Sequence, residues 1–390
     1  MRIVDVNGFY AEAGGGVRRY VDAKFAAAAA AGHHLCVIAP GKRDAVEVRT
    51  GGEVRWIASP PMPFDPRYRR FGRPGPVLAA ITAARPDIVE ASSPWGSAAM
   101  VAGWRGRAGK ALVFHQDVVA AYAHPALDRL APRAAIDALA WPWWARLRSL
   151  SRRFDLTVTG GEWLAARLGA RGIANAVAVP FGIEAGRFGP DRRDEALRAD
   201  LLGRCGVGPS GKLLLAVSRF HPEKRLPVVI AALAQARRTR PDLGLVIAGD
   251  GLAHRSVERA AARAGGVIML GTVSDRADLA RLLASADLFV HGSAAETFGL
   301  AVAEAIASGL TVVVPDAGGA ADLAPRGRSA RYRAGEARDA ARAILAALDG
   351  VAALPSLPPP PSLDEHFAAL FALYGSAAAG ARATTQATGL

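Results

Sequence analysis

Short runs of β-branched residues alternate with longer runs rich in alanine, leucine and arginine along most of the chain. This alternation predicts parallel β-sheets with helices packed on both faces, because a strand buried on both sides is apolar throughout. The predicted strands fall into two sets: Arg2–Val6, Leu35–Ala39, Asp87–Glu90, Ala111–Phe114 and Leu156–Thr159, then Leu213–Val217, Leu243–Ala248, Val267–Leu270, Leu288–His291 and Thr311–Val314. The fold class is therefore α/β, with two doubly wound domains.

The two sets of strands predict an N-terminal domain over residues 1–180 and a C-terminal domain over residues 181–350. Proline-rich residues 351–361 predict an extended connector. Residues 362–376 predict a last helix, since Phe367, Leu370, Phe371 and Tyr374 recur at helical spacing, and we expect it to pack back near the N-terminal domain. We expect the tail, residues 377–390, to be disordered.

The composition is 51% hydrophobic and 21% charged, which is typical of a globular protein with an ample core. Two cysteines are too few for a disulfide-built fold or a metal cluster. No apolar run reaches the roughly 18 to 20 residues that span a bilayer, and Asp5 interrupts any signal-peptide core. We therefore expect a cytoplasmic protein. The net charge of +13 favours acidic partners such as phosphates, nucleic acid or anionic lipid, although a GC-biased genome also yields arginine-rich chains.

Two basic residues, Arg219 and Lys224, follow the predicted strand Leu213–Val217. Ligands of open parallel sheets bind beyond the carboxyl ends of the strands. Arginine presents a planar fork of donors to phosphate, and lysine supplies a mobile point charge. The pair is therefore a candidate diphosphate site in a loop that we expect to be exposed; a solvated charged loop is the alternative.

Two glutamates, Glu296 and Glu304, bracket the start of a helix predicted between Gly299 and Gly309. The free amides of Phe298, Gly299 and Leu300 at that helix N-terminus favour a phosphate. Burying an unpaired carboxylate in an apolar helix is expensive. Two glutamates in this position therefore indicate a binding role.

These residues make the chain similar to the retaining GT-B glycosyltransferases of family 4, which carry a Glu-x7-Glu motif and a basic diphosphate-binding pair. The resemblance implies two Rossmann-like domains facing a central cleft, with the acceptor held by the N-terminal domain and the nucleotide sugar by the C-terminal one. It implies that Glu296 contacts the donor sugar and that Glu304 binds the ribose hydroxyls. Other family-like segments are Ala248-Gly249-Asp250-Gly251, Gly271-Thr272-Val273 near the expected base site, and Asp316-Ala317-Gly318-Gly319.

The N-terminal half resembles the family more loosely. Gly14-Gly15-Gly16-Val17 is similar to a glycine-rich turn beside the donor phosphates, so Gly15 and Gly16 are candidate donor-binding residues. His115 follows the strand Ala111–Phe114, where the family often has a histidine that contacts the transferred sugar. Two positions depart from the family: Arg225 replaces a glycine, and Thr311 stands where proline is common.

The resemblance implies a hexosyltransferase that uses a nucleotide-diphosphate sugar of the GDP-mannose or UDP-glucose type, with retention and without a cofactor. No Asp-x-Asp occurs in the sequence, which agrees with metal independence. The expected catalytic residues are Glu296, His115, Arg219 and Lys224; the donor-binding set adds Gly15, Gly16, Thr272, Val273, Phe298, Gly299, Leu300 and Glu304, with no metal ligand. The alternatives are a nucleotide-sugar epimerase of the same fold and a catalytically silent sugar-nucleotide binder.

The acceptor is expected to be a lipid or a cell-envelope glycan. Pro63–Pro76 places Arg67, Arg69, Arg70 and Arg73 among aromatic residues, and Ala140–Phe154 combines Trp141, Trp143 and Trp144 with Arg146, Arg148, Arg152 and Arg153. Tryptophan with arginine suits the inner face of an anionic plasma membrane. The alternative is that the tryptophans belong to the core and the arginines to the solvent. No motif supports a nucleic-acid partner.

Overall fold

The computed structural model describes residues 1–11, 16–63, 65–128, 130–324, 329–350 and 358–388. Contacts between residues divide the chain into two compact units. The first unit contains Met1–His115, Ala140–Pro180 and Leu363–Leu390, and the second contains Gln116–Leu139 and Phe181–Ser362.

The strands, in chain order, are β1 (Arg2–Val6), β2 (His34–Gly41), β3 (Ala45–Arg49), β4 (Gly52–Ala58), β5 (Pro61–Met62), β6 (Asp65–Arg69), β7 (Ile88–Ala91), β8 (Gly109–Phe114), β9 (Leu156–Thr159), β10 (Ala176–Ala178), β11 (Lys212–Val217), β12 (Leu243–Ala248), β13 (Val267–Gly271), β14 (Leu288–Val290), β15 (Thr311–Pro315) and β16 (Ala330–Tyr332). The helices are α1 (Gly16–Ala30), α2 (Pro74–Ala84), α3 (Gly96–Gly103), α4 (His124–Leu127), α5 (Arg133–Leu139), α6 (Trp141–Ser151), α7 (Glu162–Gly169), α8 (Glu195–Arg204), α9 (Leu226–Ala236), α10 (His254–Ala264), α11 (Arg276–Ser285), α12 (Leu300–Ala307), α13 (Gly319–Leu323), α14 (Ala337–Gly350) and α15 (Leu363–Thr388). A π-helical turn spans Val119–Ala123, and 3₁₀ turns span Pro190–Arg192 and Pro222–Lys224.

The first unit is built on an eight-stranded sheet of order β10-β9-β8-β7-β1-β2-β4-β3. Its strands run parallel except β3, which pairs antiparallel with β4 at one edge. The central strand β1 is buried and pairs through Ile3 with both Leu35 and Ile88. The first set of predicted strands lies in this sheet. The β3–β4 hairpin was not predicted, because the prediction rested on fully apolar runs, although the alternation of apolar and charged residues along the hairpin is also typical of strands.

The second unit is built on an all-parallel six-stranded sheet of order β13-β12-β11-β14-β15-β16. Strands β11 and β14 are neighbours and pair through Leu214 and Leu288. Because parallel strands end at the same edge of a sheet, the loops that follow β11 and β14 lie side by side. This edge carries the basic residues Arg219 and Lys224 and the first of the two glutamates, Glu296.

The units differ from the predicted domains in one internal segment. Gln116–Leu139, expected in the N-terminal domain, packs with the second unit. Three polar contacts join it to this unit: Gln116 donates to Glu223, Arg225 pairs with Asp128, and Arg133 donates to the carbonyl of Ala334. The reason is that these partners lie 97 to 201 residues further along the chain, which local periodicity does not reveal.

The last helix is longer than predicted. The expected disordered tail begins at residue 377, yet α15 continues to Thr388. Ala378 is buried, and Arg382 pairs with Asp87 of the first unit, so packing and good helix formers extend the helix. Within the connector, residues 351–357 lie outside the described part, and Pro361 accepts a backbone hydrogen bond from Ile183. Among the helices that the structure describes, none is long and apolar enough to cross a bilayer.

Candidate functional site

The loops after β11 and β14 bring Lys224 and Glu296 together. The Nζ atom of Lys224 donates to Oε1 of Glu296 at 2.6 Å. The Nε2 atom of His291, the residue after β14, lies 3.3 Å from the same oxygen. The loops approach closely because residue 292 is glycine: a Cβ atom there would lie 2.4 Å from the carbonyl oxygen of Lys224. Two residues predicted separately thus form one ion pair.

This cluster keeps Glu296 ionised. Burial alone would raise the pKa of its carboxyl, but the charge of Lys224 and the nearby His291 outweigh burial and hold the pKa well below its usual range. The pKa of Lys224 is raised, since Glu296 and Glu223 outweigh the effect of burial. At neutral pH the site therefore holds a carboxylate and an ammonium in contact.

Lys224 is not on an exposed loop as expected. Its side chain is only 13% exposed, because Glu223 lies 3.4 Å away on one side and Glu296 on the other. Glu223 is itself buried and accepts a hydrogen bond from Gln116 at 3.3 Å. Arg219 differs, since its side chain is 78% exposed and lies 3.9 Å from Glu223. Of the predicted basic pair, Arg219 is the one open to an incoming anion.

Arg225, which departs from the family pattern, occupies a left-handed backbone conformation with φ of 49°. Glycine is favoured in this region because it has no Cβ atom. The guanidinium of Arg225 pairs with Asp128, and Arg133 lies 3.9 Å from the same carboxylate. The arginine therefore ties the turn Pro222–Lys224 to the segment Gln116–Leu139.

Helix α12 begins as predicted, directly after Gly299, which has φ of 99°. Phe298 is buried against the core, whereas Leu300 is 49% exposed. The carbonyl of Glu296 accepts a hydrogen bond from the amide of Gly319, so the predicted segment Asp316–Gly319 supports this loop. The helix N-terminus thus stands beside Glu296 with its first residue open to solvent, an arrangement that suits an anion.

The second glutamate, Glu304, has a partner that the sequence did not indicate. Its Oε1 atom accepts a hydrogen bond at 2.7 Å from Nη2 of Arg276, the first residue of α11. This ion pair explains how a buried carboxylate is tolerated inside an apolar helix. Arg276 follows shortly after Thr272, which is exposed, and Val273, which packs partly against the core.

His115 belongs to the first unit, at the end of β8. Its ring is partly buried and meets Tyr20 edge-on at 5.7 Å between ring centroids. Burial lowers the pKa of the imidazole to about 4, so the ring is neutral at physiological pH. Gly16 is the exposed first residue of α1, whereas Gly15 lies outside the described residues.

A buried charge cluster lies in the first unit near His115. Lys24 of α1 is fully buried and pairs with Asp5 at 3.3 Å and with Glu90. Ser92 donates to Asp5, and Tyr374 of α15 donates to Glu90 at 2.6 Å. Burial and Glu90 raise the pKa of Asp5 to about 6, while Lys24 opposes this. This cluster was not predicted, because a lysine in a helix normally reaches solvent.

Within the described ranges, no group of three or more histidine, cysteine, aspartate or glutamate residues is arranged to hold a metal ion. The arrangement combines an ionised carboxylate, a paired ammonium, an exposed guanidinium and a helix N-terminus at one sheet edge.

Comparison with known proteins assigns both halves of the chain to one class. Residues 14–187 match the family model for Glycosyltransferase Family 4, and residues 206–350 match the model for glycosyl transferases group 1. The chain is 32% identical over 319 residues to a GDP-mannose-dependent alpha-(1-6)-phosphatidylinositol dimannoside mannosyltransferase of Mycobacterium tuberculosis, covering 80% of this chain and 79% of that protein. It is also 32% identical over 300 residues to a GDP-mannose-dependent alpha-mannosyltransferase of Mycolicibacterium smegmatis, covering 75% and 73%.

Solved structures support the fold. A sucrose-phosphate synthase from Thermosynechococcus elongatus superposes with a TM-score of 0.69 at 18% identity, covering 100% of this chain and 99% of that one. A glycosyltransferase from Rickettsia africae superposes with a TM-score of 0.67 at 15% identity, covering 96% and 98%. Together with the two parallel-sheet units, these matches confirm the predicted two-domain fold. The chain belongs to glycosyltransferase family 4 and has the GT-B fold.

Proposed function

We propose that this glycosyltransferase moves mannose from GDP-mannose to a glycolipid or cell-envelope glycan, with retention and without a metal ion. The contact between Lys224 and Glu296 beside the N-terminus of α12 carries the proposal, because a carboxylate suited to sugar hydroxyls lies next to cationic groups suited to a diphosphate. We propose GDP-mannose rather than UDP-glucose as the donor, because the two mannosyltransferase relatives are named as GDP-mannose-dependent.

The chemistry needs stabilisation of a leaving diphosphate. When the bond between sugar C1 and the phosphate oxygen breaks, the electron pair stays on the nucleoside diphosphate. Arg219, Lys224 and the α12 N-terminus would stabilise that charge as preorganised positive groups. Lys224 is already paired with Glu296, so the donor would share its charge, whereas Arg219 is 78% exposed and available.

Glu296 would face the transferred sugar. Since it remains ionised at neutral pH, it accepts hydrogen bonds from sugar hydroxyls and stabilises the positive charge that develops at C1. The acceptor oxygen would form its bond to C1 on the face that the diphosphate leaves, and a donor phosphate oxygen would take the acceptor proton. Neutral His115 would contact the sugar as a hydrogen-bonding group.

The product tests donor and stereochemistry. The enzyme is incubated with GDP-mannose or UDP-glucose and a mannosylated phosphatidylinositol acceptor, and the anomeric proton is followed by NMR early in the reaction. We expect transfer from GDP-mannose and an α-linked product. A β-linked product contradicts retention, and transfer from UDP-glucose alone contradicts the donor assignment.

Metal independence has its own test. We expect turnover to persist in excess EDTA, since Arg219 and Lys224 would supply the positive charge that the diphosphate needs. Loss of turnover that added magnesium restores would overturn this part of the proposal. Turnover of an Arg219→Ala variant should be lower than that of the wild type both in excess EDTA and at each magnesium concentration tested.

A nucleotide-sugar epimerase is not favoured, because the mannosyltransferase relatives are named as transferases. Incubation with GDP-mannose alone separates the two activities. An epimerase yields an isomeric nucleotide sugar without an acceptor, whereas a transferase leaves the donor unchanged apart from slow hydrolysis.

A glycolipid acceptor is supported by the surface of α6 in the first unit. Trp141, the first residue of α6, is 68% exposed, and Arg146, Arg148, Arg152 and Arg153 are exposed along α6 and just after it. Trp144 is buried and belongs to the core, so only part of the tryptophan cluster is available to a membrane. An exposed tryptophan among arginines suits an anionic lipid surface.

A further inference from the structure

Arg276 stands at a junction of three segments in the second unit. It is the first residue of α11, and the predicted base-site residues Thr272 and Val273 come just before it. Its Nη2 atom donates to Oε1 of Glu304 at 2.7 Å, and the side chains of Arg276 and Glu304 are 24% and 9% exposed. A charge-assisted hydrogen bond at this distance is strong enough to fix both side chains.

The guanidinium is held from its other side as well. It lies 4.9 Å from the centroid of the Phe188 ring, within the range of a cation–π contact. Its Nε atom lies 3.8 Å from Oε1 of Glu184, which is too far for a hydrogen bond. Nε is buried, and it has no hydrogen-bond partner among the described residues. Phe188 and Glu304 therefore set the plane of the guanidinium.

We propose that Arg276 is the positioning residue for ribose recognition, fixing the Glu304 carboxylate toward the 2′- and 3′-hydroxyls of a nucleoside diphosphate. The inference rests on the proposed function, with Glu304 in the ribose-binding role that the family resemblance implies. A carboxylate accepts hydrogen bonds from two hydroxyls only while it is ionised and correctly oriented. The bond from Arg276 fixes that orientation and pairs the carboxylate in a buried place where an unpaired one is unfavourable.

A purely structural role for Arg276 would lower stability and affinity for every ligand alike. A positioning role changes the discrimination between ribose and deoxyribose, which stability does not affect. The experiment therefore measures the ratio of dissociation constants for 2′-deoxy-GDP and GDP by calorimetry. Inorganic diphosphate serves as a reference, since its binding depends on Arg219 and Lys224 rather than on Glu304.

The variants are Arg276→Met, which keeps an apolar stem, and Arg276→Lys, which keeps the charge. Arg281→Met is the matched control, because Arg281 lies on the same helix and pairs with Asp278 and Asp194. We expect the wild type and the control to prefer GDP by about tenfold to a hundredfold, the range of a hydrogen bond to a charged group. Arg276→Met should reduce this preference to about twofold, which corresponds to loss of most of the hydrogen-bond energy. Arg276→Lys should retain part of the preference. Diphosphate binding should not change.

Glu304→Gln separates this inference from the proposed function. If Glu304→Gln loses the ribose preference and both Arg276 variants keep it, Arg276 is not the positioning residue, although Glu304 still binds ribose. If the wild type shows no ribose preference, or Glu304→Gln retains it, the proposed role of Glu304 fails and the inference fails with it. If Arg276→Met does not fold, Arg276→Lys decides: a full wild-type ratio in that variant contradicts a requirement for the guanidinium.

Discussion

The ammonium of Lys224 and the carboxylate of Glu296 are in direct contact, with 2.6 Å between Nζ and Oε1. The residue expected at the phosphates and the residue expected at the sugar are therefore one electrostatic unit. A substitution of either residue changes the charge state of the other, so single substitutions mix effects on binding, catalysis and stability.

Lys224→Met should affect both rate and stability. Removing one partner of a buried pair leaves Glu296 uncompensated, and we expect a loss of about 3 kcal/mol in the free energy of unfolding. Transfer should slow about a hundredfold, comparable with losing one transition-state donor. The double variant Lys224→Met/Glu296→Gln should regain stability but not rate. Lys212→Met, at the start of β11, is the control, and a double variant as unstable as the single one would contradict the pairing.

Arg225→Gly separates backbone strain from the ion pair with Asp128. Glycine removes the strain of the left-handed conformation but adds entropy to the unfolded chain. The net effect should be an increase of about 0.5 kcal/mol in the free energy of unfolding. Loss of the bond to Asp128 costs about 1.5 kcal/mol or more. We therefore expect Arg225→Gly to lower the melting temperature. Arg85→Gly, at an exposed left-handed position after α2, should raise it slightly. Equal gains in both variants would show that the Asp128 contact is unimportant.

His366 should make the protein sensitive to mild acid. Burial lowers the pKa of its ring from 6.5 to about 4, while Tyr20 and the carbonyl of Pro180 hold its two nitrogens. Between these pH values the unfolded chain binds a proton that the folded protein does not, so stability falls as the pH decreases from 6.5 to 4. His366→Gln should remove up to about 1.4 kcal/mol per pH unit from this slope in denaturant unfolding. His34→Gln, at an exposed position, should leave the slope unchanged.

The arginines of α6 and the turn after it should mediate binding to anionic membranes. Replacing Arg146, Arg148, Arg152 and Arg153 with glutamine should weaken binding to vesicles of phosphatidylglycerol and phosphatidylcholine by about tenfold or more at low salt, since each contributes up to about 1 kcal/mol. GDP binding should not change. The control replaces four exposed arginines of the second unit: Arg238, Arg255, Arg259 and Arg263. If the wild-type protein does not bind these vesicles at low salt, the result would indicate a water-soluble acceptor.

The sequence predicted what depends on short-range patterns. Fully apolar runs such as Leu243–Ala248 predicted the central strands, and the glycines around α12 predicted its ends. What remained hidden depends on distant pairs: Arg276 meets Glu304 across 28 residues, and Arg225 meets Asp128 across 97. The position of a charged residue in a periodic pattern does not indicate which distant residue it pairs with, so these contacts could be identified only from the structure.

The course of the chain has a consequence for its synthesis. The polypeptide passes between the two units after His115, Leu139, Pro180 and Ser362, so neither unit is a continuous stretch. Phe367, Leu370 and Tyr374 of α15 complete the core of the first unit, and Tyr374 hydrogen-bonds to Glu90 beside buried Lys24. The N-terminus emerges from the ribosome first. The charges that are buried in the first unit can therefore be enclosed only after α15 has been synthesised. A ribosome stalled before Leu363 would hold a nascent chain whose first sheet remains open to chaperones and proteases.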